Sequence, residues 1–126
     1  MAAMFDHVTL GVSDLEAARR FYDRVMPVLG LPLLWANETM LTYGIEGGQD
    51  FGLQQDEGAA RHGTHVAFSA PDRESVDRFH SEGLAGGGRD AGAPGLRPEY
   101  QGSYYAAFLA DPDGNRIEAV FHAPAE

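Results

Sequence analysis

His65-Val66-Ala67-Phe68-Ser69-Ala70-Pro71-Asp72, running on to Arg78-Phe79, repeats an earlier stretch of the same chain. The first copy is His7-Val8-Thr9-Leu10-Gly11-Val12-Ser13-Asp14, which runs on to Arg20-Phe21. The register is ungapped at 58 positions, and the pairs His7/His65, Val8/Val66, Asp14/Asp72, Glu16/Glu74, Arg20/Arg78 and Phe21/Phe79 are identical. Self-similarity of this length marks two copies of one supersecondary unit. A unit of about 60 residues is marginal alone, so the two must share a core within one domain spanning 1–126. Module one covers about 1–58 and module two about 63–122.

Each copy reads as strand, helix, then further strands. From Phe5 to Val12 the chain alternates, with His7, Thr9 and Gly11 on one face and Val8, Leu10 and Val12 on the other. His65, Ala67 and Ser69 repeat the small-residue face, so a sheet built from both copies has one hollow side. Ser13 with Glu16 makes a capping-box pattern, followed by Leu15, Ala18, Phe21 and Val25 at helical spacing, with Pro27 and Gly30 as the stop. In copy two, Asp72 is the N-cap, Val76 and Phe79 the apolar stripe, and Gly83 the expected stop. Leu33–Ala36, Met40–Tyr43 and Phe51–Gln54 complete module one. Tyr104–Leu109 and Arg116–Phe121 belong to module two, joined by the turn Asp111-Pro112-Asp113-Gly114. The remaining strand is expected near Gly86–Asp90, and Ala91 to Gly102 reads as a long connection of the kind that carries function. The fold class is α+β, βαβββ twice.

Composition narrows the chemistry. The 126 residues carry 19 acids against nine arginines, with no lysine and no cysteine, for a net charge of −10. So acidic a chain is not built for nucleic acid, which needs a basic face. Schiff-base and thiolate chemistry are excluded, and an anionic ligand would need arginine, a metal or backbone amides. No apolar run is long enough for a membrane span and the start carries no signal-peptide pattern, so a reducing, cytoplasmic setting is expected.

His7 and His65 occupy equivalent strand positions, and Glu118 alternates with apolar Ile117 and Ala119 on the last strand. Two imidazoles and one carboxylate form the set that binds a divalent transition metal with open coordination sites. Gln54 shares a face with Gly52 and is a weak fourth oxygen donor. Arg97, Tyr100, Tyr104 and Tyr105, in or beside the long connection, are candidates for substrate contact, as are Thr9 on the histidine face and Trp35.

The chain resembles the vicinal oxygen chelate superfamily of glyoxalase I, bleomycin and fosfomycin resistance proteins and extradiol dioxygenases. The resemblance is carried by Asp6-His7-Val8-Thr9-Leu10, Thr64-His65-Val66-Ala67-Phe68 and Asp111-Pro112-Asp113-Gly114-Asn115-Arg116-Ile117-Glu118. It implies an eight-stranded sheet curved into a U-shaped cleft with helices outside, and a homodimer in which ligands of one site come from both chains. It also implies a divalent metal (Fe, Mn, Ni or Zn) on His7, His65 and Glu118. The position of glyoxalase I's fourth ligand, usually glutamate, reads Gly52 here. The expected function is metal-dependent lyase, isomerase or dioxygenase chemistry on a small substrate with vicinal oxygens, with Glu118 or a metal-bound hydroxide serving as base. The alternative is a metal-free protein of the bleomycin-resistance type that sequesters a small molecule.

Overall fold

The computed structural model describes residues 5–58, 64–100 and 103–122. Module one runs β1 (His7–Val12), α1 (Leu15–Val25), β2 (Leu33–Ala36), β3 (Met40–Gly44) and β4 (Asp50–Gln55). Module two runs β5 (His65–Ser69), α2 (Arg73–Ala85), β6 (Arg89–Leu96), β7 (Tyr104–Ala110) and β8 (Arg116–His122). The eight strands form two four-stranded mixed sheets of the same design, ordered β1-β4-β3-β2 and β5-β8-β7-β6. In each, the first strand lies parallel to the last while the later strands pair antiparallel. No helix among the described residues is long and apolar enough to cross a membrane.

The helices form where the apolar spacing requires. On α1, Ala18, Phe21, Tyr22 and Val25 recur at i, i+3, i+4 and i+7, and all four are buried. Its cap is Asp14, whose carboxylate accepts from the Ala17 amide at 3.1 Å, so the capping residue lies one position beyond the expected Ser13. Pro27 opens a short 3-10 turn that closes on Gly30 at φ 79°, a left-handed conformation glycine adopts without strain. Asp72 caps α2 through Ser75 as expected. Gly83, however, does not stop that helix. It lies inside it, where a Cβ would come within 2.2 Å of Leu109 Cδ1 and 3.2 Å of Phe21, so its bare backbone lets the helix settle onto the sheet.

The bulky faces of both sheets meet the helices in one core that contains Val12, Phe21, Tyr22, Leu53, Phe79, Leu109 and Ile117. Phe51 of β4 and Phe68 of β5 join the modules edge to face, centroids 4.9 Å apart. Burial of each such ring contributes about 2 kcal/mol.

Two elements depart from the sequence reading. Much of the expected long connection is strand, because β6 runs through Leu96. Its ladder with β7 breaks between Asp90 and Gly92 and again between Gly92 and Gly95. It is an edge strand, and an edge tolerates Pro94 and such bulges. Gln101 and Gly102, which close that stretch, lie outside the described residues.

The Asp111–Asn115 turn is also more than a hairpin. Asp111 is buried, and its carboxylate accepts from the Tyr22 hydroxyl at 2.7 Å, the amides of Asp113 and Asn115 and the Asn115 side-chain amide. Asp113 accepts from the Ser13 amide at 2.9 Å, so the turn of module two holds both ends of the first helix. Burial, with Asp111 next, raises the Tyr22 phenol well above its ordinary value, so it stays a donor.

Candidate functional site

Cross-strand register sets which side chains share a face. On the sheet of module two, Ala67 of β5, Glu118 of β8 and Phe108 of β7 stand in one row. The neighbouring row carries His65 and Arg116, and the row after Ala106 and Val120 ends with Tyr104 opposite His122. This is the face away from the main core, and Ala106, Phe108, Val120 and Tyr104 form a small apolar cluster of their own on it.

Glu118 is the centre of that face. It is only 2% exposed. His65 Nε2 lies 2.8 Å from its Oε1, and the Tyr104 hydroxyl donates to its Oε2. Both carboxylate oxygens thus have partners, which a buried carboxylate requires. Desolvation, followed by the bond to Glu118, raises the Tyr104 phenol above the ordinary tyrosine value, so it remains a protonated donor. Aromatic rings surround the group. Tyr100 and His122 stand edge-on to Tyr104 at 4.9 and 5.2 Å, and the His65 ring lies 6.0 Å from Phe108.

The corresponding face of module one is built differently. Thr9, Gly52 and Thr42 share one row, with Trp35 opposite Thr42 at the β2 edge. His7 is exposed, and its Nδ1 lies 2.7 Å from Asp6 Oδ1, which leaves Nε2 as the nitrogen available to a ligand. At Gly52 a Cβ would come within 3.0 Å of Met40 Cε and 3.2 Å of Thr9 Oγ1. A side chain at the place of the fourth ligand would therefore have to push aside the end of the Met40 side chain and the Thr9 hydroxyl.

The structure brings His65, Glu118, Tyr104 and Tyr100 together, with Arg97 beside them over the Phe108 ring at 5.4 Å. His7, Thr9, Trp35 and Gln54 are exposed on the other sheet. Among the described residues no three histidine or acidic side chains converge on one point within the chain. Tyr105 faces the opposite way from Tyr104, since adjacent strand residues alternate. Its hydroxyl donates to Asp77 on α2 at 2.7 Å, and Arg73 lies over its ring. Phe108 and Arg116 were not among the site candidates read from the sequence. Their strand parity with Glu118 was the available signal.

A half-open cavity of about 650 Å³ lies between the modules. Phe5, Val8, Leu29, Phe51, Val66 and Phe68 supply much of its apolar lining, and His65 lies at its edge strand.

Residues 4–119 match the family model of the Glyoxalase/Bleomycin resistance protein/Dioxygenase superfamily. The chain is 30% identical to the uncharacterized protein YqjT of Bacillus subtilis (strain 168) over 124 residues, 90% of this chain and 95% of that one. A glyoxalase/bleomycin resistance protein from Albidiferax ferrireducens T118 is 36% identical, with a TM-score of 0.85 over 96% of this chain and all of that one. The bleomycin resistance determinant encoded on transposon Tn5 shares the fold at 16% identity, with a TM-score of 0.68 over 97% of this chain and all of that one. With two βαβββ modules in this arrangement and a family match over nearly its whole length, the chain belongs to the glyoxalase/bleomycin resistance protein/dioxygenase superfamily.

Proposed function

We propose that the protein is a divalent-metal-dependent enzyme acting on a small substrate with vicinal oxygens, and that it works as a homodimer. His65 and Glu118 of one chain would hold the metal together with His7 of a second copy. The observation that supports this reading is the division of donors between modules. His65 Nε2 stands 2.8 Å from the carboxylate of a buried Glu118, while His7 on the other sheet is turned by Asp6 to leave its Nε2 free. One chain offers two donors on one face and one on another, so the donor set suits a metal only when two copies contribute.

When bound, such a metal polarises the substrate oxygens and stabilises the negative charge that develops on them. The chain's own residues supply the rest. Tyr104, held protonated by burial beside Glu118, grips Oε2 and fixes the orientation of the carboxylate. Oε1, the oxygen that faces His65, is then the one that would serve the metal and, when released from it and from His65, would take a proton from the substrate. Phe108 and the Tyr100–Tyr104–His122 rings limit water on that side.

One observation favours a second reading. The apolar cavity of about 650 Å³ is large enough for a bulky ligand, and affinity there would come from burial, with no metal needed. Elemental analysis of untagged protein, purified without chelator, separates the two. The first reading expects stoichiometric Fe, Mn, Ni or Zn that is lost in His65→Ala. Metal-free protein that binds small apolar molecules equally well with and without chelator would overturn it in favour of the second.

A further inference from the structure

Two guanidinium groups lie within cation–π distance of one ring beside the His65–Glu118 pair. Arg116 and Arg97 lie 5.3 and 5.4 Å from the centroid of Phe108. Arg116 stands one row from Glu118 on the same face of β8, directly opposite His65. Arg97 reaches back from the end of β6 over glycines. A Cβ at Gly92 or Gly95 would come within 3.3 or 3.2 Å of its terminal nitrogens. Its Nη2 donates to the Ala93 carbonyl at 2.6 Å, which holds the guanidinium in place while its other N–H donors stay available.

Neither arginine makes an ion pair with a carboxylate among the described residues. Glu118, the nearest acid in the row, is committed on both oxygens to His65 and Tyr104. Arg20, Arg73, Arg78 and Arg89 also lack such a pair among the described residues, so what sets Arg97 and Arg116 apart is that both lie against one ring on the candidate catalytic face. Guanidinium forks are suited to planar oxyanions, and the buried Phe108 ring packs against both of them.

We infer that the substrate carries a carboxylate, which the guanidinium groups of Arg97 and Arg116 receive while the rest of the molecule extends toward His65 and Glu118. This rests on the proposed function only in taking that face as the active one. The clamp itself uses no metal.

The test uses full-length protein in excess chelator, titrated with benzoate and with its neutral isostere benzamide, and followed by calorimetry and by the imidazole proton resonances of His65. Benzoate is expected to bind at least tenfold more tightly than benzamide and to shift the His65 signals. Arg97→Gln and Arg116→Gln should each weaken benzoate binding about tenfold, and Arg116→Lys should retain part of it. Arg20→Gln, an equal charge change on an exposed helix position, should leave binding unaltered. Equal binding of the two probes, no binding of either, or equal losses in Arg20→Gln and the site variants would overturn the inference. Metal content of Arg97→Gln/Arg116→Gln separates the two proposals. Metal retained with benzoate selectivity lost supports the clamp, whereas benzoate selectivity in wild-type protein that never takes up metal sinks the metal reading alone.

Discussion

The two modules share a fold and spend it differently. Sheet order, parallel first and last strands and a histidine at the start of each are common to both. On the outer face, module two puts a buried carboxylate in the central row, held by His65 and Tyr104. Module one puts Gly52 there, with the side-chain ends of Met40 and Thr9 crowding the space. The turns before the last strands differ as sharply. Asp111 of module two is buried under four hydrogen bonds, whereas Ile45, at its counterpart in module one, is 59% exposed. Duplication supplied the frame, and divergence gave one half the buried carboxylate and the turn that clamps the halves together.

The turns offer the largest break in that comparison. Asp111→Ala strands the Tyr22 hydroxyl and three further donors in the interior and should cost about 4 kcal/mol in urea unfolding. Ile45→Ala should stay within about 0.5 kcal/mol. Equal losses would mean the two turns are interchangeable.

Restoring the missing acid is next in size. Gly52→Glu drives a side chain into Met40 and Thr9 and should cost about 2 kcal/mol by overpacking. Adding Met40→Ala should recover much of this. A tolerated Gly52→Glu single variant would show that the site is open after all.

Tyr104→Phe removes one hydrogen bond to Glu118 and should cost about 1 kcal/mol. Its alkaline profile adds a finer test. The folded value of Tyr104 lies above the ordinary 10.0, so its contribution is complete below that pH and is lost as pH rises through the folded value. Tyr22 and Tyr43 are raised by burial in the same direction. Stability should therefore hold to about pH 10 and then fall. Tyr104→Phe should make that fall shallower, while an unchanged slope would remove Tyr104 from the buried set.

Much of this frame was legible in the residues. The His-Val pairs and the Arg-Phe endings announced the duplication, and apolar spacing at Ala18, Phe21 and Val25 announced α1. What escaped depended on distant partners. Nothing local marks Asp111 as a buried hub, because its hydroxyl donor, Tyr22, lies 89 residues away. Gly92, Pro94 and Gly95 disguised β6, since an edge strand needs only one side of its ladder. Tyr104 and Tyr105 looked alike in a cluster, yet the pleat sends one to Glu118 and the other to α2. Glu118 stood out because a charge interrupts an apolar strand. Its partnership with His65 follows from the parallel β5–β8 register, which the repeat implied but the sequence could not fix.

The sharing of one metal centre between two copies is tested most directly by mixing. His7→Ala and His65→Ala proteins, each purified without metal, are combined, unfolded gently to exchange chains, refolded with Ni or Zn, and assayed for bound metal after desalting. A shared centre regains metal only in the mixture, where an intact His65 and Glu118 of one chain meet an intact His7 of the other. A mixture that stays as empty as its two parents, beside wild-type protein that fills under the same treatment, would contradict the account.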